Sequence, residues 1–110
     1  METNIRRIPW QNGGIAQEYE LLFFYYKGEK TCVHTGNHKW FYDDGTVKEE
    51  CEYGLTTFHD RAGRPFLGHN RMTRKYYSLE GELVNSEVWV PEYFSPYDGP
   101  GSLQTFKLED

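Results

Sequence analysis

The sequence predicts an all-β chain: an antiparallel meander of short hairpin repeats that forms a curved sheet or a small closed barrel. Three observations carry this reading. Three tryptophans, nine tyrosines and seven phenylalanines outnumber valine, leucine and isoleucine together, and alanine occurs only twice. Aromatic and β-branched side chains suit a pleated, half-buried surface, whereas scarce alanine disfavours helix. Eleven glycines and five prolines supply many tight turns. Phe23, Trp40, Phe58, Tyr76 and Phe94 recur at steps of 17, 18, 18 and 18, each five residues before a glycine: Gly28, Gly45, Gly63, Gly81 and Gly99. Two series locked to each other mark a repeat protein with a period of about 18.

Taken in order, residues 1–9 read as a tail or an edge strand. Asn12-Gly13 is the strongest short-range hairpin signal. Gln17 to Tyr26, with six apolar or aromatic residues in a row from Leu21, reads as a strand covered on both faces. The hairpin repeats span 23–94. The best copy is Trp40-Phe41-Tyr42-Asp43-Asp44-Gly45-Thr46-Val47, in which Asp44-Gly45 provides the positive φ of a tight turn. A second is Tyr76-Tyr77-Ser78-Leu79-Glu80-Gly81-Glu82-Leu83. In the copy beginning at Phe58, Pro65 stands where others carry Val47 and Leu83. A proline cannot donate to a strand ladder, so this copy is expected to be irregular or at an edge. Residues 95–110, rich in proline and glycine, are expected to fray. The whole chain of 110 residues makes one domain of eight to ten short strands.

Phase adds a prediction. The aromatics five before each glycine should share one buried face, because strand side chains alternate. Their neighbours Phe24, Phe41, His59, Tyr77 and Ser95 should lie on the other. That second row is either covered by curvature or closure, or it is a binding surface.

The segment Lys39-Trp40-Phe41-Tyr42-Asp43-Asp44-Gly45-Thr46-Val47-Lys48-Glu49-Glu50 resembles the MORN-type repeat, in the variant found in YwqK-like antitoxin proteins. Tyr76 to Leu83 is similar, and Phe58-His59-Asp60-Arg61-Ala62-Gly63-Arg64 resembles the Tyr-Asp repeat of large toxin shells. The resemblance covers about residues 36 to 94. It implies an array of β-hairpins that binds another macromolecule and carries no catalytic residues.

Charge and chemistry narrow the function. A net charge of −5 and a mean hydropathy of −0.81 repel nucleic acid and anionic membranes. There is no apolar run of membrane-spanning length, no secretory leader at the start and no Asn-x-Ser/Thr acceptor, so the reducing cytoplasm is the default. Cys32, His34 and His38 invite a metal reading, with Cys51 or His59 as a further ligand, but the spacing fits no standard zinc motif and an ordinary hairpin accounts for it. Cys32 and Cys51 fall on the same side of their strands; whether they pair stays open, with free thiols the default. No nucleophile motif, phosphate loop or dinucleotide fingerprint is present. No cofactor is expected.

The segment 43–52 carries Asp43, Asp44, Glu49, Glu50 and Glu52 against Lys48 alone, while 61–75 carries Arg61, Arg64, Arg71, Arg74 and Lys75 and no acid. The two can satisfy each other across the sheet or form a polarised docking surface. The predicted function is non-catalytic protein binding, concretely an antitoxin, immunity protein or inhibitor that neutralises a protein partner such as a basic toxin or enzyme. Partner-binding residues are Phe41, Asp43, Asp44, Glu49, Glu50, Glu52, Tyr53 and Tyr77: the acids steer a basic target, and the aromatics anchor it. The rival is a lipocalin-like barrel holding a small apolar ligand.

Overall fold

A computed structural model describes residues 2–109. It contains one antiparallel sheet of seven strands in sequence order: β1 (Glu2–Pro9), β2 (Ile15–Tyr26), β3 (Glu29–Phe41), β4 (Val47–His59), β5 (Pro65–Tyr77), β6 (Leu83–Phe94) and β7 (Gln104–Leu108). A short 3-10 segment, Pro96–Gly101, joins the last two strands. The all-β meander predicted from composition and periodicity is therefore what forms. It has seven strands rather than eight to ten, because most run 12 or 13 residues. One period of 18 is one strand plus one turn, not a whole hairpin.

The turns follow the sequence closely. At Trp10–Gly14, Tyr42–Thr46, Asp60–Arg64 and Ser78–Glu82, the first residue of the turn exchanges backbone hydrogen bonds with the fourth and fifth. The fourth is Gly13, Gly45, Gly63 or Gly81, with φ between 81° and 94°. This is the three-residue hairpin loop whose last residue must be left-handed, a place glycine fills without strain. The β2–β3 turn is the tighter two-residue kind, with Lys27 at φ 53° and Gly28 at φ 77°. Pro65 is the first residue of β5, paired with His59, inside the longest ladder of the sheet. The expectation that its copy would lie at an edge fails, since β5 is paired on both sides and a proline at a strand's first position removes no needed donor; the irregularity of this copy is instead a bulge farther along β5.

Register distributes the aromatics over two faces. Directly paired residues point the same way, so Gln17, Trp40, Glu49, Tyr76 and Asn85 form one row across five strands. We call that side the front. Phe23 also points forward, by alternation along β2, whereas Phe58 points back and packs edge-on against Phe94, with centroids 4.6 Å apart. The expected single aromatic face is thus divided. In β5, Asn70 is squeezed out of the ladder between the pairs Gly54–Arg71 and Leu55–His69. This bulge inverts the parity of the strand. Gly54 permits it, since a Cβ there would lie 2.6 Å from the Asn70 side-chain oxygen. Phe23, Trp40, Phe58 and Tyr76 are all half-buried rather than sealed.

The core sits on the back, at the end bearing the Lys27–Gly28 and Asp60–Arg64 turns. There β3 and β4 part company: they pair only through residues 37–41 and 47–52. Phe24 and Phe66 are buried at 8% and 3% exposure, and the Tyr26 ring meets Phe66 edge-on at 6.0 Å. The 3-10 segment covers this cluster, with buried Gly99 (φ 80°) lying against the Tyr26 phenol where no side chain could fit. Residues 95–109 are therefore an ordered lid and an edge strand, not a frayed tail.

The sheet does not close, and β1 and β7 are its two edges. The molecule measures 50 × 35 × 19 Å with a radius of gyration of 16.1 Å, against about 13 Å for a compact chain of this length. Its accessible surface is 7178 Å², where about 6300 Å² is usual for this mass. An open single sheet has no barrel interior in which to hold a ligand. No helix among the described residues is long and apolar enough to cross a membrane.

Candidate functional site

Consecutive turns alternate between the two ends of a meander, so the Trp10–Gly14 and Tyr42–Thr46 turns lie at the same end. Between them runs an open groove of about 880 Å³ lined by Pro9, Trp10, Ala16, Phe41, Tyr42, Asp43 and Lys48, among others. Ala16 contributes little bulk, which leaves Phe41 half-buried in the lining and Trp10 41% exposed beside it. Both rings are offered to solvent at a place where several apolar groups meet. The rim is acidic. Asp43 and Asp44 are exposed at the turn. The Thr46 backbone N–H donates to Asp44 Oδ1 at 2.8 Å and, with the Thr46 side chain, holds that carboxyl below the usual carboxylate range, so it stays ionised. Tyr42 closes one wall by donating its hydroxyl to the Tyr77 carbonyl, 2.8 Å away, which fixes the turn to the end of β5.

Of the eight partner-binding residues predicted from the sequence, this groove gathers Phe41 and Asp43, with Asp44 adjacent. Tyr77 supports it through its backbone while its own side chain is half-buried. The other four separate by strand alternation. Glu50 sits on the back, directly between Lys39 and Lys75, and Glu52 on the same face between Asn37 and Thr73. Glu49 and Tyr53 point forward. Glu49 lies 3.5 Å from the Arg74 guanidinium. Across the β4–β5 ladder Arg74 thus pairs with Glu49 and Lys75 stands opposite Glu50, while Glu52 on the strand and Asp43 and Asp44 at the turn tip face no base there.

The front face holds a network that sequence reasoning did not find. His38, Cys51, Arg74 and Glu87 form one cross-strand row. Glu87 accepts the Tyr76 hydroxyl at 2.8 Å. Cys51 is fully buried, and burial pushes its thiol above the usual range. Burial, with Cys51 alongside, pushes Tyr53 up to about 12. Rings stack along this face: Trp40 on His38 at 3.8 Å, His38 near His34 at 5.5 Å, and Tyr53 on His69 at 4.6 Å. Burial, the neighbouring His34 and Arg74 lower His38 from 6.5 to about 4, so it is neutral at physiological pH. His69 Nε2 donates to the His34 carbonyl at 2.8 Å. The only signal in the sequence is the His34-x3-His38 spacing, which fits no standard zinc motif and reads as an ordinary hairpin. Among the described residues no three His, Cys, Asp or Glu side chains are disposed to hold a metal ion. Cys32 is exposed and Cys51 buried, both as free thiols.

No family model, curated protein or solved structure matches the chain.

Proposed function

We propose that this chain is a non-catalytic protein-binding module that docks a basic segment of a partner protein in the groove between the Trp10–Gly14 and Tyr42–Thr46 turns. The observation that carries the reading is the meeting of two aromatic rings, the exposed Trp10 and the half-buried Phe41, with an acidic turn tip at Asp43 and Asp44, the second of which Thr46 holds ionised. Buried aromatic anchors with polar rims are the usual anatomy of an interface. The excess surface of the open sheet, about 800 Å², is the area one partner contributes to a standard interface. The concrete form of the activity is neutralisation of a toxin or enzyme, in keeping with the MORN-type and antitoxin resemblance of residues 39–50. A cytoplasmic setting suits two free thiols that share the front face without bonding.

The test uses a display library of random peptides selected against the whole chain. Selected sequences should place an aliphatic or aromatic residue beside lysine or arginine. Phe41→Ala should speed release, and Asp43→Lys with Asp44→Lys should slow association and flatten its salt dependence. Peptides without basic or apolar enrichment, bound equally by both variants, would overturn the assignment.

A further inference from the structure

The opposite end of the sheet carries the reverse charge. Lys27, Arg61 and Arg64 line a polar cleft of about 430 Å³ formed by the β2–β3 turn, the Asp60–Arg64 turn and the 3-10 segment. Two acids also line it. Asp60 is buried and its carboxylate is fully engaged. One oxygen accepts the backbone N–H groups of Ala62 and Arg64 at 2.9 and 2.8 Å; the other accepts the Tyr26 hydroxyl at 2.5 Å and Arg64 Nε at 3.4 Å. It therefore has nothing left to offer Lys27 or Arg61. Asp98 is exposed and pairs with neither of them.

Among the described residues, Lys27 and Arg61 form no ion pair; each lies instead over a tyrosine, Lys27 at 5.5 Å from the Tyr26 centroid and Arg61 at 5.4 Å from that of Tyr97. Arg64 remains 45% exposed beyond its contact with Asp60. A second observation is independent of charge. Lys27 is the one non-glycine residue with positive φ among those described. The first place of this turn favours asparagine, aspartate or glycine, and lysine enters the left-handed region only against strain. A strained backbone that holds an unpaired cation at the mouth of a cleft is the pattern expected where a ligand, rather than the fold, uses the side chain. In a chain of net charge −5, such a cluster also stands out against the general field.

We propose that this cleft binds a phosphate group. Two guanidinium forks and an ammonium suit a tetrahedral dianion better than a monocarboxylate, and the three cations against the two carboxylates of Asp60 and Asp98 leave a net positive site. The phosphate comes either free on a small molecule or on a phosphorylated side chain. The site is distinct from the groove and stands or falls apart from it.

The experiment is a proton–nitrogen NMR titration of the whole chain with inorganic phosphate at ionic strength matched by sodium chloride. Saturable shifts should appear at the Lys27, Arg61 and Arg64 amides with phosphate and not with chloride, and acetate should bind about tenfold more weakly. Arg61→Gln should weaken phosphate by about tenfold or more. Lys27→Asn should weaken phosphate while raising the melting temperature, because asparagine relieves the turn; a purely structural lysine would not move the two in opposite directions. A phosphoserine peptide that binds more tightly than inorganic phosphate identifies a phosphorylated side chain as the source, and one that binds more weakly identifies a small molecule. Shifts that never saturate, or that survive unchanged in Arg61→Gln, overturn the site.

Discussion

Acid should weaken this fold well before its carboxylates titrate, and His38 is the reason. Its imidazole lies between Trp40, stacked at 3.8 Å, and His34 at 5.5 Å, with Tyr19 at 5.0 Å and Gln17 Oε1 3.0 Å from Nε2. Burial, then the repulsion of His34 and Arg74, hold it at about 4 rather than 6.5. An unfolded chain takes up this proton near 6.5, whereas the folded one resists until about 4. Stability is therefore complete above 6.5 and drains away as pH falls toward 4. At about pH 5 the linkage amounts to about 2 kcal/mol for a sealed ring, and to about 1 kcal/mol once solvent screening of this half-buried one is allowed for. His34, also lowered by burial and by His69, adds in the same direction. Urea unfolding at about pH 7 and about pH 5 should show the drop, equivalent to about 4 °C in melting temperature. His38→Gln, which keeps a polar group for Gln17 but cannot titrate, should remove at least half of it. Asp60, held low by the Tyr26 hydroxyl and then by backbone donors, also loses stability in acid, but only below the ordinary carboxylate range, so the windows separate. Equal stability at both pH values, or an undiminished drop in His38→Gln, would refute the reasoning.

Other consequences concern packing. Phe66→Ala should cost about 3–5 kcal/mol by denaturant midpoint, since the ring is sealed, whereas the half-buried Trp40→Ala should cost about 2 kcal/mol. Gly45→Ala should cost about 1–2 kcal/mol for its left-handed backbone alone. Gly99→Ala should cost clearly more, because the Tyr26 phenol occupies the space its methyl would need. Equal losses at the two glycines would mean that the 3-10 segment does not press on the core.

The turns were the most legible part of the chain. Gly45, Gly63 and Gly81 each sit where a three-residue loop demands a left-handed residue, and that demand is local, so sequence alone reveals it. Face assignment was not legible, because it depends on parity accumulated along strands. The single unpaired Asn70 turns Phe66 to the back while Tyr76 on the same strand points forward, and only Gly54, an isolated glycine within a strand, hinted at it; Phe58 faces back because it stands an odd number of residues from Glu49 along β4. The same limit divided the acidic strand. Glu49 and Glu50 are neighbours in sequence but lie on opposite faces, each beside a basic residue from β5 that no local pattern could pair with it. Phe41, Asp43 and Asp44 stay together because a turn keeps sequence neighbours together. The ring stack through His34, His38 and Trp40 required long-range register and was out of reach.

An open sheet of this kind holds little in reserve. Among the described residues the sealed apolar ones are Phe24, Cys51 and Phe66, so most rings keep one side in water and forgo part of their dispersion energy. Domains of this size have about 5–15 kcal/mol in hand, and a thin core argues for the lower part of that range. A partner that binds only the folded chain adds about 2.7 kcal/mol at a hundred times its dissociation constant. For a fold with so small a margin that gain is a large fraction of the whole, and melting temperature becomes a sensitive reporter of binding. A candidate partner that docks in the groove should raise the melting temperature of the native chain by about 10 °C at that concentration, and that of Phe41→Ala by much less. A candidate that stabilises both chains equally engages some other surface, and the assignment of the groove would fall.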